Sequence, residues 1–177
     1  MTAPSEARPH TKRAIEQSLA LGLEQLGWTR HKLCGFHPVY AKSLAVTPYF
    51  WCEPIRSVRA RGHVIEGAVG VIHQAFESEW ERTHGDNSRP TIILHTANIS
   101  ELSEPSVILD SGDLDDQVRA FCQRVSLMLA SLPQSDAQLR ESFALNVLYR
   151  FPVAKFAGRD PDKLQALREF LQSPTKH

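Results

Sequence analysis

Ser57-Val58-Arg59-Ala60-Arg61-Gly62-His63-Val64-Ile65 is a run of period two. Val58, Ala60, Gly62 and Val64 fall on one side of an extended chain, and Ser57, Arg59, Arg61 and His63 on the other. The run predicts a strand with one face against a core. Around it, residues 28–72 alternate Thr, Val, Tyr, Phe and Ile with polar residues, and Pro38, Pro48 and Pro54 divide the stretch into short pieces. Several antiparallel strands are expected there. Gly67 and Gly70, inside an apolar run, mark a bulge or the close approach of another element, and no GxGxxG pattern is present.

The period changes on both sides of this stretch. Upstream, Ile15, Leu19, Leu23 and Leu26 recur at spacings of four, four and three, which draws one apolar stripe down a helix over 11–26 that Gly27 stops. Downstream, Phe76 and Trp80 with Glu77, Glu79 and Glu81 suit a short amphipathic helix, and residues 85–90 read as a turn. Ile92-Ile93-Leu94 reads as a central strand, and Val107-Ile108-Leu109 as another short one. The last third turns helical. Leu114, Val118, Phe121, Cys122, Val125, Leu129 and Leu132 lie at spacings of three and four, and Asp113, Asp115 and Asp116 gather at the N-terminus, where the helix dipole favours negative charge. Residues 135–148 read as a helix, although 143–151 also fit a strand. A final helix starts from Asp160 and Pro161 and buries Leu164, Leu167, Phe170 and Leu171.

Strands are thus segregated from helices. The expected fold is α+β: a single domain with an antiparallel sheet of about four to six strands and helices packed on one face, the other face being partly exposed. Its extent is 11–172, with flexible segments at 1–10 and 173–177. The length of 177 residues suits one such domain. With 42% apolar and 23% charged residues, the chain has the composition of a packed domain. Twenty basic residues balance twenty acidic ones, so no global attraction to nucleic acid or an anionic membrane exists. There is no run of ~18 apolar residues to span a bilayer and no apolar leader. Three cysteines without CxxC spacing argue against a disulfide framework or a zinc ribbon. A cytoplasmic location is expected, with export lacking a cleaved leader left open.

Three constellations carry candidate chemistry. The first is metal: His73 and Glu77 are four apart, so they share one face of a helix, and His95 follows a central strand, giving the two-histidine, one-carboxylate set of a zinc or non-haem iron centre. The second is basic. Arg30, Lys32, Lys42, Arg56, Arg59 and Arg61 face one acid, Glu53, across residues 28–63, with Tyr40, Tyr49, Phe50 and Trp51 nearby. Guanidinium pairs on one strand face suit planar anions or an acidic partner. The third is acidic: Glu101, Glu104, Asp110, Asp113, Asp115 and Asp116 without a basic residue, a pattern that lacks EF-hand spacing and that helix capping largely explains. No GxSxG elbow or Walker pattern occurs; Cys122 belongs to an apolar stripe, which leaves Cys52, beside Trp51 and Glu53, as the thiol to watch.

Local charge segregation without a reaction centre leads to the expectation of a non-catalytic, cytoplasmic protein-binding domain, immunity- or antitoxin-like. It would engage a protein partner through a sheet face bearing Arg59, Arg61, His63 and Trp51, with no cofactor and no membrane contact. Two alternatives stand beside it. One is a hydrolase or oxygenase dependent on a divalent metal at His73, Glu77 and His95. The other is single-stranded nucleic-acid binding by the aromatic and basic strands, which the balanced charge disfavours.

Overall fold

The structure, a computed structural model, describes residues 9–31, 39–58, 62–85, 92–94, 107–144 and 161–173. In chain order these form α1 (Lys12–Gln25), β1 (Thr29–His31), β2 (Val39–Ala41), β3 (Val46–Cys52), β4 (Arg56–Val58), β5 (Gly62–Val64), β6 (Gly67–His73), α2 (Gln74–His84), β7 (Ile92–Leu94), β8 (Val107–Leu109), α3 (Leu114–Ala130), α4 (Asp136–Ala144) and α5 (Pro161–Gln172). The fold is α+β, with every strand pair antiparallel. One sheet has five strands in the order β1-β2-β3-β6-β7, within the expected range; a second sheet of three has the order β4-β5-β8. No helix among the described residues is long and apolar enough to cross a membrane.

The first helix follows its sequence signals closely. Thr11 Oγ1 accepts the Ala14 N–H at 3.1 Å, and Ile15, Leu19 and Leu23 are buried. At the other end the Gly27 N–H donates to Glu24 O and the Trp28 N–H to Leu23 O, both at 2.9 Å, while Gly27 takes φ 83°. This is a Schellman stop, which glycine adopts without side-chain strain. The chain then turns Trp28 inward, where Nε1 donates to Ser126 Oγ at 3.0 Å and ties the exit of α1 to α3.

The longest pairing in the main sheet is β3 with β6, seven residues from Val46↔His73 to Cys52↔Gly67. Pro48 does not break β3 as the sequence suggested. It lies inside the strand beside a stretch that β2 does not reach, because β2 pairs only with residues 49–51. Gly67 is the close approach expected of that glycine: a Cβ there would meet Trp51 O and the Phe50 ring. Ile92-Leu94, expected in the centre of a sheet, is the end strand β7.

Both faces of the β2-β3-β6 region are apolar. Tyr40, Val46, Phe50, Val69 and Val71 join one large core with Ile15, Leu19 and Leu23 of α1, Val118, Phe121, Val125 and Leu129 of α3, and Leu167 and Leu171 of α5. Phe50 meets Phe121 edge-on at 6.0 Å between ring centroids. Val39, Ala41, Tyr49 and Ile72, with Trp51 against them, form a separate buried cluster on the opposite face. The expectation of a partly exposed second face therefore fails. A strand buried on both sides reads as a nearly continuous apolar run, which is what Val46, Tyr49, Phe50 and Cys52 supply.

Gly67→Ala should destabilise the protein by the upper part of the ~1–3 kcal/mol typical of overpacking, because a backbone oxygen cannot step aside as a side chain can. Urea unfolding followed by circular dichroism measures it, and a loss below about 0.5 kcal/mol would contradict the close approach.

Candidate functional site

The Ser57-to-Ile65 run is not one strand. Residues 56–58 and 62–64 pair with each other in the register Arg56↔Val64, Ser57↔His63 and Val58↔Gly62, so the chain folds back between Val58 and Gly62. Period-two patterning survives the reversal, which is why the sequence alone did not reveal it. Gly62 permits the second half to lie against β8, since a Cβ there would stand 2.7 Å from Ile108 O. Arg59 and Arg61 lie outside the described residues.

His63 departs from its expected outward position. It is 7% exposed, its Nδ1 is buried without a hydrogen bond, and it stands 3.7 Å from Asp110 Oδ1, too far for one. That same oxygen accepts the His10 backbone N–H at 3.0 Å, and His10 Nε2–H donates to Gly112 O at 2.9 Å. His63 therefore serves a junction of β5, the turn after β8 and the entry to α1. Trp51, also expected at the docking face, is half-buried in the other sheet on the Val39 and Tyr49 side. The two residues do not share a face.

Of the remaining basic set, Lys42 places Nζ 4.5 Å from the Trp28 ring centroid, and Arg30 is exposed. Arg56, with a 65% exposed side chain, donates to Glu66 Oε2 at 2.7 Å. Water screens such a surface pair and leaves it worth little, so Arg56 can exchange Glu66 for another carboxylate at small cost. Lys32 lies outside the described residues.

The metal constellation is differently arranged from its expectation. His73 precedes α2 as its N-cap instead of sharing a helical face with Glu77: Nδ1 accepts the Phe76 N–H at 3.2 Å, which places the ring proton on Nε2, and Nε2 donates to Asp136 Oδ1 at 3.0 Å. The ring also stands edge-on to Phe170 at 5.1 Å. Both ring nitrogens are engaged, leaving no lone pair directed at an ion. Glu77 Oε2 accepts from Lys163 Nζ at 2.7 Å, and the ammonium lies 5.9 Å from the Trp80 ring. His95 lies outside the described residues. Among the described residues no group of three His, Cys, Asp or Glu side chains is placed to hold an ion.

Buried Lys163, 5% exposed, was not foreseen. Its signal was nonetheless present, because Lys163 precedes Leu167 and Leu171 at four-residue spacing and thus sits on the apolar stripe of α5. The acidic stretch resolves mostly into capping and local pairs. Asp113 Oδ1 accepts the Asp116 N–H at 2.9 Å, Asp115 Oδ1 accepts from Ser18 Oγ at 2.8 Å, and Asp116 pairs with Arg119 at 2.9 Å. Glu101 and Glu104 lie outside the described residues.

Cys52 and Cys122 are free and buried. Burial pushes each thiol from 9.0 up to about 12, assisted at Cys52 by Glu16 and Glu53, and burial likewise raises Tyr40 from 10.0 to about 12. Neither thiol supplies a thiolate nucleophile near neutral pH. A groove of about 300 Å³ lies between α1 and α3, with Leu21, Gly22, Leu26 and Cys122 among the residues that line it. No family model, curated protein or solved structure matches the chain.

Three measurements probe these sites. Raised thiol and phenol pKa values mean that the unfolded chain releases protons first, so their stabilisation is intact below pH 9 and is lost as pH climbs towards 12, at about 1.4 kcal/mol per pH unit for each group in its window. The urea midpoint should fall steeply above pH 9, and iodoacetamide at pH 8 should label Cys52 and Cys122, mapped by peptide mass spectrometry, only after denaturant is added. Separately, Lys163→Met should cost roughly 3 kcal/mol by removing the cation from the buried Glu77 carboxylate, whereas Lys163→Met with Glu77→Leu should recover much of that loss. Equal losses in the single and double variants would show that the pair is not the source.

Proposed function

We propose that this chain is a non-catalytic binding protein that engages a protein partner through the β4–β5 hairpin. The observation that carries the reading is the register Ser57↔His63 and Val58↔Gly62. In the sequence Arg59 and Arg61 fall among the three residues that separate these paired strands, and Arg56 of the first strand is exposed. Connections of this kind are where recognition residues concentrate.

Three guanidinium groups in six residues favour a partner with clustered carboxylates, because each can form a bidentate, planar pair. Within a chain of zero net charge, such a cluster orients a complementary partner without attracting polyanions at large. Raised thiol pKa values and the engaged nitrogens of His73 support the non-catalytic part of the proposal. The free thiols at Cys52 and Cys122 fit a reducing, cytoplasmic setting. An immunity- or antitoxin-like role, in which a small domain masks a basic-binding surface on its target, matches this chemistry.

A partner retained by the native chain through gentle purification and identified by mass spectrometry provides the test. Isothermal titration of that partner against the Arg59→Glu, Arg61→Glu double variant should show an affinity loss of roughly 100-fold or more, with the parent affinity falling as salt rises. Unchanged affinity in the double variant, with its circular dichroism spectrum intact, would remove the hairpin as the docking element.

A further inference from the structure

Residues 28–76 hold six lysines and arginines and two acids, Glu53 and Glu66. Both acids stand where the chain passes between the two sheets. The Glu53 N–H donates to Glu66 O at 2.8 Å, and the neighbouring pair Cys52↔Gly67 starts the long ladder of the main sheet. Ile65, on the other side of Glu66, is fully buried. The Glu66 backbone is therefore held from both sides while its side chain, 45% exposed, reaches solvent. Arg56 lies opposite Val64 in the hairpin register, so Glu66, two residues on, is its diagonal neighbour, an offset that long side chains bridge. They meet at 2.7 Å, Nη2 to Oε2.

We propose that Glu66 is an internal competitor at the hairpin: it occupies the Arg56 guanidinium with a carboxylate of the chain's own, and an acidic partner docks by displacing it. This role rests on the hairpin being the docking element, as proposed above, and adds a control over it. The group that Arg56 already holds is a carboxylate, and the way it is held suits exchange. The contact joins one nitrogen to one oxygen, without the second parallel bond that makes the strongest arginine–carboxylate pairs. Both side chains are wet, at 65% and 45% exposed, so the pair opens with little loss.

Competition of this kind shapes specificity. An isolated carboxylate gains almost nothing at Arg56, because one surface pair merely replaces another of the same kind. The displaced Glu66 then stands beside the incoming acid, and like charges at short range repel. A ligand with several carboxylates offsets that loss by engaging Arg59 and Arg61 as well. Glu66 thus selects clustered acids over isolated ones by disfavouring the wrong ligand.

The probe is a capped hexaglutamate peptide, titrated calorimetrically into the full chain at about 20 mM salt, where screening is weak. Glu66→Gln, a near-isosteric change at an exposed side chain, should tighten binding roughly fivefold. In an Arg56→Gln background the same change should have no effect, and Arg59→Glu with Arg61→Glu should abolish binding. If that double variant binds hexaglutamate as the parent does, the hairpin reading fails and the competitor role fails with it. If the double variant loses binding while Glu66→Gln leaves affinity unchanged, the hairpin stands and the competitor role alone is wrong. Equal tightening with and without Arg56 also overturns it, since Glu66 would then act only through net charge.

Discussion

The seven-residue pairing of β3 with β6 is the constraint on which the rest of the structure depends. It joins two apolar layers through one thickness of backbone: Phe50 and Val69 look towards the helices, and Tyr49 and Ile72 look the other way. Backbone groups between two dry layers have no water to turn to, so the ladder must pair them, and a single slip of register would exchange the two faces. Gly67 enforces the register at one end, where a side chain would strike Trp51 O and the Phe50 ring. His73 closes the other end, since the residue that finishes β6 also caps α2.

That terminal histidine shows how the polar interior is organised. Its ring links three helices, accepting from the first turn of α2, donating to Asp136 at the start of α4 and meeting Phe170 of α5. One turn further along α2, Glu77 and Lys163 make a second tie to α5. Buried ion pairs seldom add much stability over an apolar substitute, because desolvation offsets the Coulomb attraction. What they add is a penalty for mispacking: α5 cannot rotate on its apolar stripe without pulling the Lys163 ammonium away from Glu77. His73 and Glu77, two members of the set that suggested a metal in the sequence, thus tie helices together.

Period was a good guide to the elements. The stripe Ile15, Leu19 and Leu23, the long stripe of α3 and its acidic N-terminus were legible because each depends on neighbours a few residues away. What the sequence concealed depends on distant partners. The fold-back between Val58 and Gly62 preserves alternation, so a hairpin and a long strand carry one pattern; the deciding fact is Ile108 O against Gly62. Pro48 reads as a breaker unless the span of β2 is known. His63 alternates with arginines yet lies against Asp110, 47 positions later. The candidate site was legible as composition, three arginines in six residues, and illegible as placement, because Trp51 and His63 belong to different sheets.

Charge is spread unevenly along a chain whose total is zero. At the hairpin, charge is concentrated and screened by water, which sets orientation and encounter rate more than residence time. A strongly basic chain would draw polyanions from every direction, whereas twenty charges of each sign cancel at long range and leave only local clusters to discriminate among partners. Balanced charge, which argues against a nucleic-acid binder, is therefore also the condition under which a short run of arginines can be selective.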